Sequence, residues 1–120
     1  MDRREIAQRE IIKRGGICDL CGKKGPLEMH EIIERSKTEG DPTLRLCSYA
    51  PEVCLFVCRE CHDTVAPVRT ADALHICVMR WGKEIVGDRL RMMFAMRPTL
   101  AYEVELPQEI KEYVLSGRRD

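Results

Sequence analysis

Aromatic side chains are scarce: Trp, Tyr and Phe make up 5% of the 120 residues. A core must therefore be filled by aliphatic side chains and Met, and a metal staple would help so modest a core. Net charge is absent as well, 20 Lys and Arg balancing 20 Asp and Glu. That counts against a broad nucleic-acid-binding surface, because affinity for the phosphate backbone comes mainly from Lys and Arg. No apolar run approaches the roughly 20 residues of a membrane span, so no membrane partner is expected. Met1-Asp2-Arg3-Arg4-Glu5 does not lead into the apolar stretch of a secretory signal. Internal repeats and low-complexity linkers are missing too. What remains is an ordinary soluble balance, 44% hydrophobic and 33% charged, at a length that suits one domain.

Cysteine is what the chain has in quantity. There are 7, an odd number, so at least one thiol stays unpaired in any all-disulfide scheme. Without a secretion signal, so many cysteines point to a reducing, cytoplasmic compartment and to thiolate ligands. Four of them form two tight pairs, Cys18-Asp19-Leu20-Cys21 followed by Gly22, and Cys58-Arg59-Glu60-Cys61 followed by His62. Two cysteines separated by two residues can both reach one zinc ion, and Gly22 lets the chain turn tightly beneath it. Four thiolates complete the closed tetrahedral form of a structural zinc site. Four buried free thiols or two disulfides are the alternatives, but pairs this tight favour metal or redox chemistry over structural bridging. A redox protein fits less well, because the βαβ context is missing and there are two such pairs.

Between the pairs lies Leu27-Glu28-Met29-His30-Glu31-Ile32-Ile33. A Cys-x-x-Cys-Gly, a strand ending in His with a second polar residue and two aliphatics, then a Cys-x-x-Cys-His, resembles the zinc-containing HNH endonucleases. The match covers roughly residues 14 to 67, and Ile11 to Cys18 is similar to that family's helix, turn and zinc knuckle. With the helical pattern and the one-domain length of the rest of the chain, the resemblance makes an α+β, mostly α single domain over 1–120 the expectation. A zinc-stapled ββα-metal core of treble-clef type would occupy 14–67, and a helical C-terminal extension over 68–120 would pack on it. It also implies DNA as partner and phosphodiester hydrolysis with a second divalent cation, Mg2+, Mn2+, Ni2+ or Zn2+, which stabilises charge on the phosphate and the leaving oxygen.

Aligned on Ile32-Ile33, His30 falls at the family's first-strand metal-ligand position, and Glu31 falls at the general-base position, where the family has His. His62 keeps a helix ligand position. Val53, nine residues earlier, stands where the family has Asn, and Ala66 stands where a further His or Asn ligand is common. The candidate catalytic residues are thus Glu31 and His30, and His30 and His62 would hold the divalent cation. A one-residue shift would make His30 the base but put Met29 at the ligand position, and a thioether suits a hard cation poorly. Adjacent residues of an ideal strand face opposite ways, so His30 and Glu31 share one ion only if the strand curls. Two function classes stay open: a divergent HNH endonuclease, and a zinc-stapled module that has lost cutting and contacts DNA or a protein.

Charge is unevenly spread. Residues 1–24 carry seven cationic side chains against four anionic, while residues 99–113 set Lys111 against four glutamates. Lys13, Arg14, Lys23, Lys24, Arg35 and Lys37 are the candidate phosphate contacts. Helical spacing predicts a helix from Asp2 to Lys13 with Ile6, Ala7, Ile11 and Ile12 inward. Strands are expected at Leu27 to Ile33 and Val53 to Val57, a long loop over 34–50, and a short helix from Cys58 to Ala66, ended by Pro67. Thr70 or Asp72 would cap a helix from Ala73 to Trp81, apolar on nearly every side, with His75 and Cys77 in the core. A helix from Lys83 to Met96 would bury Val86, Leu90, Met93 and Phe94. The pattern from Tyr102 to Leu106 reads as extended, and Pro107 opens a last helix that Gly117 stops. Met92, Met93 and Met96 read as core filler, and Cys47 and Cys54 as spare ligands, with burial the better reading for Cys54.

Overall fold

Asp2 begins the fold by accepting the backbone N–H of Glu5, which caps α1 (Arg3–Lys13). The structure is a computed structural model describing residues 1–64 and 68–116. From Ala7 the helical period leads inward to Glu10 and Arg14, both buried, with Ile6 and Ile11 half-buried. Ile12, expected inside, is 79% exposed, because the polar Glu10–Arg14 pair occupies the inner row in its place.

The sheet is a single antiparallel pair, β1 (Glu28–Glu31) and β2 (Cys54–Val57), in the register Glu28 to Val57, Met29 to Phe56, His30 to Leu55 and Glu31 to Cys54. All four residues of β2 are buried, which is why this short stretch carries no polar residue. Both strands are shorter than the expected Leu27 to Ile33 and Val53 to Val57. Leu27, Ile32 and Ile33 are buried beyond the ends of β1.

The connection over 34–50 is not the plain loop expected. It holds a 3-10 turn, Arg35–Thr38, and a helix, α2 (Pro42–Ser48). Asp41 accepts the N–H of Leu44 and Pro42 takes the first helical turn, so Asp-Pro marks a helix start here. Leu44 and Cys47, three residues apart, face inward. A second 3-10 turn, Pro51–Val53, leads into β2, and α3 (Arg59–Thr64) follows it. Ala66 and Pro67 lie outside the described residues.

α4 (Thr70–Trp81) packs on β2 and on the Pro51–Val53 turn. It begins at Arg69 without a side-chain cap, so neither Thr70 nor Asp72 plays the expected part. Only one face is buried, through Ala73, Leu74, Cys77 and Val78; Met79 is 74% exposed. His75 is likewise on the surface, its Nδ1 against Glu109, and not in the core. Gly82, at φ +93°, breaks α4 from α5 (Lys83–Met96), a backbone state that L side chains rarely adopt. α5 buries Val86, Leu90, Met93 and Phe94 as its spacing predicts. Of the three methionines Met93 is core, while Met92 and Met96 are partly exposed.

The extended segment expected at Tyr102 to Leu106 is instead a short helix, α6 (Leu100–Glu103), and the irregular chain after it. Leu100 and Val104 are the buried residues, four apart, and the Val104 N–H bonds Leu100 O. The last helix, α7 (Gln108–Ser116), lays Ile110 and Val114 on α5. Gly117 lies outside the described residues. Buried side chains from Ala7 to Val114 form one hydrophobic cluster, so the architecture is α+β and mostly helical. Among the described residues no helix is long and apolar enough to cross a membrane.

α7 closes over α5 at Gly87, where an added Cβ would sit 2.6 Å from Tyr113 Cε1. The Tyr113 hydroxyl donates to Asp88, and Arg91 lies 5.2 Å from the ring centroid, so the ring is held in place from two sides. Gly87→Ala would gain up to ~1 kcal/mol of helix propensity and lose ~1–3 kcal/mol to overpacking. A net fall in thermal stability is expected, and Tyr113→Ala in the same chain should recover the propensity gain. A more stable single variant would show that α7 is not seated on α5 in this way.

Candidate metal centre

Gly22, at φ +76°, turns the chain back after Cys21 so that its N–H bonds the Cys18 carbonyl at 3.0 Å. Cys18 N–H bonds Lys23 O at 3.0 Å, and Ile17 pairs with Lys24, which closes a tight knuckle. The second pair stands where β2 ends and α3 begins. The Cys61 N–H points at Cys58 Sγ, 3.4 Å away. The amides of Leu20, Cys21 and Cys58 lie 3.4, 3.5 and 3.4 Å from Cys18 Sγ.

These turns bring the four sulfurs of Cys18, Cys21, Cys58 and Cys61 within 4.8 Å of one another. Cys21 and Cys58 Sγ are 3.8 Å apart, and a tetrahedron with ~2.3 Å zinc–sulfur bonds has edges of about 3.8 Å. All seven cysteines are free thiols. Burial opposes ionisation of Cys18, but the three amides outweigh it and bring its pKa down to about 6. Cys61 goes the other way: burial and the three neighbouring sulfurs push it up to about 12. The cluster is thus built for negative charge, yet its own sulfurs resist ionising together. A divalent cation resolves that conflict, and an all-sulfur tetrahedral set suits zinc.

The remaining cysteines stay outside the cluster. Cys47 lies 3.9 Å from Met92 Sδ, and the thiols of Cys54 and Cys77 donate to the carbonyls of Ser48 and Cys54 at 3.2 and 3.5 Å. Burial raises Cys54 well above the usual thiol range and Cys77 to about 12, so both behave as small apolar residues. The expectation of Cys47 and Cys54 as spare ligands gives way to packing.

Asp19, inside the first cysteine pair, locks the knuckle to the rest of the fold. Its Oδ2 accepts from Phe56 N–H at 2.8 Å and from Arg14, and its Oδ1 accepts from Arg80 at 3.1 Å. Arg14 also bonds Glu10 at 2.9 Å and lies 4.3 Å from the Phe56 ring centroid. The side chains of Arg14 and Asp19 are each 2% exposed. Arg14, expected on the surface as a phosphate contact, is therefore a buried structural group. Lys13, Lys23, Lys24 and Arg35 are exposed and Lys37 is half-exposed.

Beside the cysteine cluster two histidines meet. His30 on β1 and His62 on α3 lie edge to face, with ring centroids 5.3 Å apart. They line a small cleft with Leu20, Leu55, Val57, Cys61 and Val68. Burial, with the nearby His62 charge, lowers the His30 pKa and favours its neutral ring. His62 Nδ1 is 2.9 Å from Glu28 Oε1, and Arg59 Nη2 is 2.9 Å from Glu28 Oε2. The His62 hydrogen bond, with the Arg59 charge adding to it, holds the Glu28 carboxyl below the usual range. Glu31 is engaged elsewhere: Arg3 Nε lies 2.6 Å from its Oε1, and Arg3 also bonds Met29 O. Val53 is fully buried and carries no polar side-chain atom.

Glu28 was missed by sequence reasoning. The signal that finds it is the period of two along a strand, which puts Glu28 and His30 on one face. Among the described residues, the four cysteines are the only group of three or more His, Cys, Asp or Glu close enough together to take a metal ion. No protein-family model, curated protein or solved structure matches the chain. The likeness read from the cysteine and histidine spacing therefore stands on those residues alone.

Two substitutions separate the cluster from its support. Structural zinc sites bind with an apparent ~10–16 kcal/mol that is coupled to folding. Cys18→Ser is expected to lose zinc and most of the cooperative unfolding transition together. Asp19→Ala keeps all four sulfurs but strands Arg14 with Glu10 alone, and breaking a buried pair costs ~3–5 kcal/mol. It should lower thermal stability while zinc stays near one per chain by elemental analysis. A purified chain without zinc, or with Cys18 disulfide-bonded to Cys21, would overturn this assignment.

Proposed function

We propose that the chain is a divergent HNH-like endonuclease, a zinc-stapled treble-clef scaffold that binds DNA and hydrolyses phosphodiester bonds slowly. The observation that carries this reading is the meeting of His30 and His62 over the β1–β2 pair, with Glu28 on His62. An ionised carboxylate only accepts hydrogen bonds, so His62 Nδ1 carries the proton toward Glu28, which in a neutral ring leaves the lone pair on Nε2. A neutral His30 beside it offers a second nitrogen. Two imidazoles suit a borderline divalent cation such as Ni2+ or Zn2+, with its other positions left to water and phosphate. When bound, such an ion would stabilise negative charge on the phosphate and the leaving oxygen.

The chain's own residues limit the rate. Glu31 has Oε1 on Arg3, which draws its carboxylate toward α1, and Val53 supplies no polar group where the family has Asn. A well-placed base is worth roughly 10²–10⁴-fold, which is the deficit expected against an intact site. Of the candidate phosphate contacts, Lys13, Lys23, Lys24, Arg35 and Lys37 are exposed or half-exposed. Few contacts make a weak complex whose affinity falls with salt as counterions are released.

The same Arg3–Glu31 pair and buried Val53 favour a second reading, a module that binds DNA or a protein without cutting. Plasmid, branched and single-stranded DNA incubated with Mg2+, Mn2+, Ni2+ or Zn2+ distinguish the two. The nuclease reading expects slow nicking, abolished by His62→Ala or His30→Ala with the cysteine zinc and the fold retained, and increased by Glu31→His. If wild type and Glu31→His are both inert on every substrate, the binding reading replaces it. DNA binding that is absent at low salt would then turn the reading to a protein partner.

A further inference from the structure

Glu28 reaches from β1 to two residues of α3 three positions apart, Arg59 and His62, one carboxylate oxygen for each at 2.9 Å. A surface carboxylate with one cationic neighbour would need no further account. This one meets a guanidinium on one oxygen and a ring nitrogen on the other, so both oxygens have a partner. His62 is about one-third exposed, and its ring also meets the edge of His30. Both ring contacts restrict its rotation, and only the Glu28 contact distinguishes its two nitrogens.

We infer that Glu28 is a positioning residue that sets the tautomer and aim of His62, presenting Nε2 to a divalent cation shared with His30. The inference rests on the cation reading proposed above. Three contacts act in sequence. Arg59 orients Glu28, Glu28 accepts the hydrogen bond of His62 Nδ1–H, and Nε2 of the neutral ring is then the nitrogen free to donate electrons. Ligand histidines are commonly held by such a carboxylate, and its removal typically costs 10–100-fold in metal affinity or activity. Glu28 itself touches neither substrate nor the reacting atoms. The acidic residue beside His30 in sequence, Glu31, cannot substitute, since its carboxylate is on Arg3.

The test uses the full zinc-loaded chain, labelled with 15N, at one fixed pH. Long-range proton–nitrogen correlation spectra report which nitrogen of His62 bears the proton, and calorimetric titration with Mn2+ or Ni2+ reports affinity at the second site. In wild type the Nδ1–H tautomer is expected, with measurable cation binding that His30→Ala removes. Glu28→Ala should mix the tautomers and weaken binding 10–100-fold. Glu28→Gln keeps an oxygen acceptor, and should restore the tautomer and bring affinity within about tenfold of wild type. Retained cysteine zinc shows that each variant is folded. A merely structural tie would lower the melting temperature in Glu28→Ala and leave tautomer and affinity alone. That result overturns the inference while the cation reading stands. Wild type that binds no second cation overturns both, and an Nε2–H tautomer in wild type overturns the inference by itself.

Discussion

Four sulfurs packed within 4.8 Å of one another are a problem in electrostatics before they are a metal site. Like charges at that separation disfavour joint ionisation; backbone amides favour the thiolate at Cys18, while burial and the neighbouring sulfurs oppose it at Cys61. The fold brings the sulfurs together regardless, because the knuckle at Gly22 and the β2–α3 junction leave them little freedom to separate. A cation is the simplest way for that arrangement to be stable, and it joins two stretches of chain 37 residues apart at Cys21 and Cys58. In a chain with so few aromatic side chains, such a tie does work that a larger core would do elsewhere.

Asp19 extends that tie outward. One carboxylate receives the Phe56 amide, Arg14 from the end of α1 and Arg80 from the end of α4. Burying charge is costly unless it is paired and its hydrogen bonds are made, and here both conditions hold. The first cysteine pair, β2, α1 and α4 are therefore fixed to one another by a single residue within the knuckle. The helical C-terminal part meets the metal-bearing part at Arg80 on the surface and through Cys77 and Leu74 beneath it.

The metal pairs were legible because ligand spacing is local, and so were the cap at Asp2 and the bounds of α5, where helical periodicity runs unbroken from Lys83 to Met96. What failed was ambiguous locally or decided at long range. Asp41-Pro42 can open a turn or a helix, and the choice falls to Leu44 and Cys47, which find a core to enter. His75 was read as buried from the apolar residues around it, yet the helix period turns it away from Leu74 and Cys77. Arg14 was counted as a free surface charge because nothing local announces that Asp19 and Phe56 will close around it. That His30 and His62 come near one another was legible from their places beside the two cysteine pairs, but the carboxylate on His62 is Glu28, two residues before His30, and not the one after it.

That last difference follows from strand geometry, and it bears on how such a site can change. β1 pairs with β2 in a fixed register, so Glu28 and His30 share a face with α3, while Met29 is buried and Glu31 meets Arg3 of α1. The cysteine cluster sets where α3 begins, and His62 follows Cys61 directly in sequence. The position of the histidine pair is thus inherited from the metal centre and the strand register. The cysteine cluster needs neither histidine to close. Glu31 on Arg3 and the buried Val53 stand apart from the residues that line the histidine cleft. The dependence runs one way: the cluster and the strand register place the histidine pair, while the four sulfurs meet through the Gly22 turn and the β2–α3 junction alone.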